Sequence, residues 1–134
     1  MLFFIDENLS PRMKGPLSAF YPQHRFKTFE DEGLQGFDDI EVFTHLGTMQ
    51  YDAIITKDGM QLVRPNERAA LVDNDLHWIG LEEPVGLGRM SVPVLTSTAL
   101  AGFQRVLNQW QPHLAAYRLP CPPGLSERPS IEPL

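Results

Sequence analysis

Three aspartates stand where their carboxylates could act together. Asp6 directly follows the apolar run Leu2–Ile5, and Asp58 follows the apolar run Ala53–Thr56 after one lysine. Asp39 lies at the start of a segment with helical periodicity. Carboxylate oxygens are the ligands that Mg²⁺ and Mn²⁺ prefer. Because a bound divalent ion activates water and stabilises a leaving oxygen, these residues predict the hydrolysis of a phosphodiester.

The aspartates can meet only if the fold brings their segments to one edge of a sheet. Strands are predicted from apolar runs at residues 2–5, 25–29, 53–56 and 76–82. Helical patterns separate these runs, so we expect an α/β fold with a central, mostly parallel sheet and right-handed crossovers. Ligands bind such sheets beyond the carboxyl ends of the strands. If the first strand is central, Asp6 and Asp58 end neighbouring strands, about 5 Å apart.

Capping residues predict where the helices begin. Ser10 followed by Pro11 is typical of a helix start. Asp38 and Glu41 have the spacing of a capping box, and Pro65 suits the first turn of a helix after the third strand. Each predicted helix therefore starts shortly after a strand or a loop, as the α/β pattern requires.

Irregular structure is predicted for the acidic stretch 30–36 and for residues 83–95, which lack a clear period. A long helix is predicted from Thr96, where apolar residues recur every three or four positions. Pro112 is expected to bend or end that helix.

Length and composition fit one globular domain. The chain has 134 residues, 43% of them hydrophobic, and we expect a domain over 1–118 and a proline-rich tail over 119–134. No apolar run approaches the roughly 20 residues of a membrane span, and the N-terminus lacks a signal-peptide pattern. We therefore expect a cytoplasmic protein with no membrane partner and with an unpaired Cys121. A formal net charge of −6 means that a nucleic-acid role would need a local basic patch or bound cations.

Several segments together resemble the motifs of a known family. They are, in order, FFIDENLSPR, GFDDIEVF, AIITKD and RPNER. They resemble the motifs of PIN-like nuclease domains, especially the branch of VapC-type toxins, over roughly residues 2–82. The resemblance implies a PIN-like three-layer α/β/α fold and a metal-dependent endoribonuclease that is the toxin of a toxin–antitoxin pair. It also implies RNA and a small antitoxin protein as partners, and a possible homodimer.

The resemblance assigns roles to individual acids. Asp6, Asp39 and Asp58 match the catalytic, metal-binding positions, with Mg²⁺ or Mn²⁺ as the expected cofactor. Glu7 and Glu41 match acidic positions that could support them. The predicted centre is therefore built from three segments that are distant in the sequence.

Other positions near these acids bear on substrate and metal number. Arg12 and Lys57 are candidate contacts to substrate phosphates that do not react. PIN nucleases often carry a fourth acid soon after the aspartate that ends the third strand, whereas Gly59, Met60 and Gln61 follow here. The number of metal ions is therefore left open.

Structural roles and other functional classes compete with this hypothesis. Asp6 could cap the turn after its strand, Asp38 is expected to cap a helix, and Glu41 could complete the capping box. A catalytically silent PIN-like domain would keep the fold and bind a protein partner. A receiver-like phosphoacceptor module would share the acids, but it would also need a Ser or Thr after the fourth strand and a later Lys, which the pattern does not supply.

Overall fold

The computed structural model of the chain describes residues 1–125 and 127–133. Within them, all strands belong to one parallel sheet with the order β2-β1-β3-β4-β5. The strands are β1 (Leu2–Ile5), β2 (Arg25–Thr28), β3 (Ala53–Thr56), β4 (His77–Leu81) and β5 (Ala116–Leu119). The first strand is central, so the ends of β1 and β3 are neighbours, as the sequence predicts.

The helices connect consecutive strands and cover both faces of the sheet. They are α1 (Lys14–Phe20), α2 (Phe29–Glu32), α3 (Asp39–Thr48), α4 (Pro65–Asp73) and α5 (Ser91–Asn108). Short 3-10 turns occupy Pro11–Met13, Gly59–Leu62 and Gly88–Met90. None of the helices in the described segments is long and apolar enough to cross a bilayer.

Alternating side chains of the strands divide the core into two halves. Phe3 points toward α1 and α5, where its ring centroid lies 4.8 Å from that of Phe103. Phe4 points to the opposite face and packs with Phe43 and other residues of α3 and α4. Because a strand has a side-chain period of two, one apolar run fills both halves. This arrangement confirms the three-layer α/β/α fold.

The predicted capping residues act as expected. The Ser10 side chain accepts a hydrogen bond from the backbone of Arg12, and Pro65 is the first residue of α4. Asp38 and Glu41 form the predicted capping box of α3. These local signals fix the helix starts that surround the carboxyl edge of the sheet.

Two predictions of irregular structure were wrong. The acidic stretch contains α2, because Thr28 and Asp31 form a capping box and Gly33 ends the helix with a left-handed φ of 65°. The last helix begins at Ser91 rather than Thr96. Pro93 is tolerated there because the first turn of a helix needs no intrahelical N–H donors.

The C-terminal part of the chain also differs from expectation. The last helix ends at Asn108, before Pro112, and the chain then forms β5, a strand that the sequence pattern did not predict. Leu119, the final residue of β5, is its one buried side chain. A short edge strand with little burial carries a weak sequence signal. Beyond β5, the described residues form no helix or strand.

Candidate functional site

The acids predicted from sequence line one cavity at the carboxyl edge of the sheet. The backbone N–H of Asp6 donates to the carbonyl of Ile55 at 2.9 Å, which holds the end of β1 beside the end of β3. A cavity of about 330 Å³ at this edge is lined by several side chains that include Asp6, Asp39 and Asp58. The structure therefore brings three separated segments to one place.

The Asp6 carboxylate is almost enclosed by donors, and its residue is only 6% exposed. Its Oδ2 accepts hydrogen bonds from the Thr56 hydroxyl at 2.7 Å and from the amide groups of Asn8 and Gln61, each at 3.1 Å. Its Oδ1 accepts from the backbone N–H of Glu7 at 2.8 Å. Burial raises the pKa of Asp6 above its ordinary value, the Asp39 charge raises it further, and the hydrogen bonds oppose both effects.

Gln61 joins this inner carboxylate to the outer acids. Its side chain is fully buried, and its Nε2 donates to Asp6 and also to Oδ2 of Asp39 at 3.3 Å. Its Oε1 accepts from the indole Nε1–H of Trp78 at 3.1 Å. Because an indole N–H can only donate, Trp78 fixes which end of the Gln61 amide faces the acids.

Gly80 leaves the space in which the Trp78 indole lies. Both residues belong to β4, and a Cβ atom at position 80 would lie 1.9 Å from Cη2 of Trp78. Any side chain at position 80 would therefore displace the ring that orients Gln61. The Arg118 guanidinium carbon lies 5.4 Å from the indole centroid and covers the ring from β5.

The outer carboxylates come from three elements. Asp39, Asp58 and Glu67 each offer an oxygen, and these oxygens all lie within 4.8 Å of one another. Asp39 and Glu67 are in the first turns of α3 and α4, where the helix dipole favours negative charge. Asp58 accepts a hydrogen bond from the backbone of Met60, which starts the 3-10 turn after β3.

Arg64 partly balances the outer carboxylates. Its Nη1 lies 3.1 Å from an oxygen of Glu67 and 3.6 Å from an oxygen of Asp58. The Arg64 side chain is 50% exposed, so these contacts are screened by water. One guanidinium therefore stands beside two of the three clustered carboxylates, with Asp6 behind them.

This donor set suits a hard divalent cation. Carboxylate oxygens are the preferred ligands of Mg²⁺ and Mn²⁺, and partly exposed acids leave positions for water and substrate. A cation shared among these carboxylates would also offset the repulsion between their like charges. The arrangement can therefore concentrate positive charge where a phosphate group would bind.

The two supporting acids have different surroundings. Glu7 lines the same cavity as Asp6, and its carboxylate accepts from the backbone N–H of Gly36 at 3.2 Å. Glu41 accepts from the backbone N–H of Asp38 at 3.2 Å and so completes the capping box. Its carboxylate is thus engaged at the start of α3.

The two candidate phosphate contacts also differ. The Nζ of Lys57 lies 2.9 Å from a carboxylate oxygen of Glu83, on the side of the edge away from the acids. Arg12 is exposed on the 3-10 turn after β1. Among the described residues, Arg12 forms no ion pair with the outer carboxylates.

Sequence reasoning missed Glu67 and Gln61. Glu67 could have been predicted from the sequence, because it lies in the first turn of α4, the helix that follows β3. Asp39 has the same position in α3, the helix that precedes β3. Gln61 carried no such signal. Its burial depends on contacts with Trp78 and Asp6, which are distant in the sequence.

The fold and the site agree with a comparison to known families. A family model described as a PIN-like domain matches residues 1–83. The chain therefore belongs to the PIN-like domain family, whose members are typically nucleases. No curated protein and no solved structure gives a significant match. The match is to the family as a whole, so the narrower resemblance to VapC-type toxins stays a prediction.

Proposed function

We propose that this protein is an endoribonuclease that uses Mg²⁺ or Mn²⁺ to hydrolyse phosphodiester bonds. The observation that carries the proposal is the convergence of Asp39, Asp58 and Glu67 from three elements to within 4.8 Å. Membership of a family of nucleases supports the same reaction class. The receiver-like alternative has no comparable support.

The chain's own residues have distinct parts in this proposal. Asp39, Asp58 and Glu67 would hold the ion, and Asp6 would complete the set from the inner side. A bound divalent ion would stabilise charge on the phosphate and lower the pKa of water. Gln61 holds the Asp6 and Asp39 carboxylates near each other, because its amide nitrogen donates to both. The charge that Arg64 now supplies to the outer acids would be supplied by the ion.

The remaining parts of the proposal come from the sequence and from the resemblance. We propose that Lys57 and Arg12 contact substrate phosphates and that Glu7 and Glu41 act only as supporting acids. We also propose a toxin role in the cytoplasm, neutralised by a small antitoxin protein, with possible pairing into a homodimer. Induced expression of the parent should then arrest growth, whereas expression of Asp58→Asn should not.

Cleavage of RNA by purified protein tests the reaction itself. The parent should cut a mixed RNA pool with Mn²⁺ and should not cut it with EDTA. Asp58→Asn should lose at least about a hundredfold in rate, the size typical for the loss of one group that stabilises charge in a transition state. An asparagine oxygen can still accept from the backbone of Met60, so the variant should fold. Glu67→Gln should also lose rate.

Asp73→Asn is the matched control, because Asp73 is an exposed acid at the other end of α4. It should cut as the parent does. Equal cutting by Asp58→Asn and the parent would show that the centre is assigned to the wrong residues. No cutting by the parent under any condition would reject the nuclease.

A silent PIN-like binding domain is the second candidate. The contacts of Arg64 with Asp58 and Glu67 favour it, because a guanidinium already balances part of the acidic cluster. Calorimetry with Mn²⁺ separates the two candidates, since a silent domain should bind the ion weakly or not at all.

A further inference from the structure

A second cavity lies at the carboxyl edge of the sheet, on the side of β4 and β5. It encloses about 390 Å³ and is lined by residues that include Lys57, Trp78, Gly80 and Arg118. The acidic cavity described above lies on the side of β1 and β3. Both cavities therefore open at the edge where parallel sheets bind ligands.

The two cavities meet at consecutive residues. Lys57 lines the second cavity and Asp58 lines the acidic one. Their Cα atoms are about 3.8 Å apart, as in any trans peptide. A chain molecule that crosses this edge would thus pass from the acids to the cations within a short distance.

The second cavity carries two cations in a chain with a net charge of −6. Lys57 is held by Glu83, which also accepts from the Ser91 hydroxyl. Arg118 forms no salt bridge with any described residue and is exposed. One carboxylate, that of Glu82, is also at the cavity wall. Arg118 therefore offers a negatively charged ligand a positive charge that no described carboxylate balances, next to the ion-paired Lys57.

Arg118 also lies against an aromatic ring that can support it. Its guanidinium lies over the Trp78 indole, and Trp78 is only 3% exposed, so the ring is a fixed support. The opposite face of a stacked guanidinium can receive a nucleobase, a contact common in the recognition of single-stranded RNA. Its N–H edge can at the same time bind a phosphate oxygen.

We propose that this cavity binds a nucleotide of single-stranded RNA that neighbours the one cleaved. Arg118 stacks on the base and binds a phosphate oxygen with its N–H edge, and Lys57 contacts the adjoining phosphate. The inference rests on the proposed ribonuclease function and names a substrate subsite for it. The subsite would also explain how an acidic protein retains RNA, since local cations replace a long-range field.

Binding in EDTA tests the subsite without cleavage. The probe is a fluorescein-labelled single-stranded RNA of about 10 nucleotides, and its anisotropy is measured against protein concentration. Arg118→Gln should weaken binding about tenfold, as expected for the loss of one stacked base. It should also reduce the slope of affinity against salt by about 0.7, the value for one phosphate contact on a single strand. Arg118→Lys should keep the salt slope of the parent, because the charge remains. Its affinity should fall almost as far as that of Arg118→Gln, because lysine cannot stack on the base.

Arg25→Gln is the matched control, because Arg25 is an exposed arginine on β2, the opposite edge strand. It should bind as the parent does. Equal binding by Arg118→Gln and the parent, an equal loss in Arg25→Gln, or no binding by the parent would overturn the subsite. Failure of the nuclease itself would instead appear as absent cleavage with Mn²⁺, so the two failures are distinguishable.

Discussion

The inner and outer carboxylates of the site are held in opposite ways. Asp6 is buried and accepts four hydrogen bonds from groups that are themselves fixed. The outer acids Asp39, Asp58 and Glu67 are partly exposed, and a half-exposed Arg64 is the cation beside two of them. The inner carboxylate is thus satisfied by the protein, and the outer ones are only partly satisfied.

This difference suggests separate roles for the two groups of carboxylates, one in positioning the site and the other in supplying negative charge. A carboxylate has about four acceptor sites, and Oδ2 of Asp6 already accepts three hydrogen bonds whereas Oδ1 accepts one. Asp6 therefore has little freedom to move, and only its Oδ1 keeps an acceptor site for a ligand. Asp39 and Asp58 line the cavity, and their carboxylates accept fewer hydrogen bonds than that of Asp6. Under the proposed function, the inner network sets geometry and the outer cluster responds to cations.

Removing the Gln61 amide should break the inner network and should have the largest effect on stability of these variants. Gln61→Leu leaves the Trp78 N–H buried without an acceptor and removes one donor from Asp6. An unsatisfied buried donor costs about 1–3 kcal/mol, so the free energy of unfolding in urea should fall by about 1–3 kcal/mol. Mn²⁺ affinity should fall as well, because Asp6 and Asp39 lose their shared donor.

Two further variants complete this test. Gly80→Ala reaches the same network from its other end, since the new methyl group must displace the Trp78 ring. Gln104→Leu, at an exposed position of α5, is the control and should change stability by less than about 0.5 kcal/mol. A Gln61→Leu protein as stable as the control would show that the amide does not hold the site together.

Sequence reasoning found the part of the site that depends on backbone geometry. Asp6 and Asp58 were predicted because parallel strands end at one edge, and Asp39 because a capped helix must start beside that edge. Both inferences need only the periodicity of apolar residues and the rules of helix capping. They therefore hold without knowledge of side-chain contacts.

The remaining residues depend on tertiary packing. Gln61 looks like an ordinary loop residue until Trp78, seventeen positions later, supplies its partner. Trp78 in turn needs the missing side chain of Gly80, a relation that no periodicity expresses. The edge strand β5 was missed for a similar reason, because its exposed residues gain their role only by pairing with β4.

Glu32, which lies outside the site, is a carboxylate whose pKa is shifted in the opposite direction to that of Asp6. Hydrogen bonds from Tyr51 and His45 hold the pKa of Glu32 below its usual 4.5, whereas burial raises that of Asp6. A lowered folded-state pKa means that Glu32 stabilises the fold above pH 4.5 and that this contribution is lost as the pH falls through the folded value. Glu32→Gln should therefore lower the free energy of unfolding by about 1 kcal/mol at pH 7.

The pH dependence distinguishes this effect from a packing defect. The difference between Glu32→Gln and the parent should shrink in urea titrations performed below pH 4.5. Glu30→Gln, an exposed acid of the same helix, is the control and should differ little from the parent at any pH. A difference that stays constant with pH would assign the loss to packing rather than to charge.

Removing the Arg64 charge tests the outer cluster and should have the smallest effect of these variants. An exposed ion pair contributes about 0.2–1 kcal/mol, so a cation that no longer competes with Arg64 should bind up to about fivefold more tightly in Arg64→Gln. Calorimetric titration with Mn²⁺ measures this change, and Arg25→Gln serves again as the control. The gain should diminish at high salt, where exposed charges are screened. Weaker Mn²⁺ binding in Arg64→Gln would mean that the guanidinium orients Asp58 and Glu67 for the ion, in which case the outer cluster is positioned by the protein much as Asp6 is.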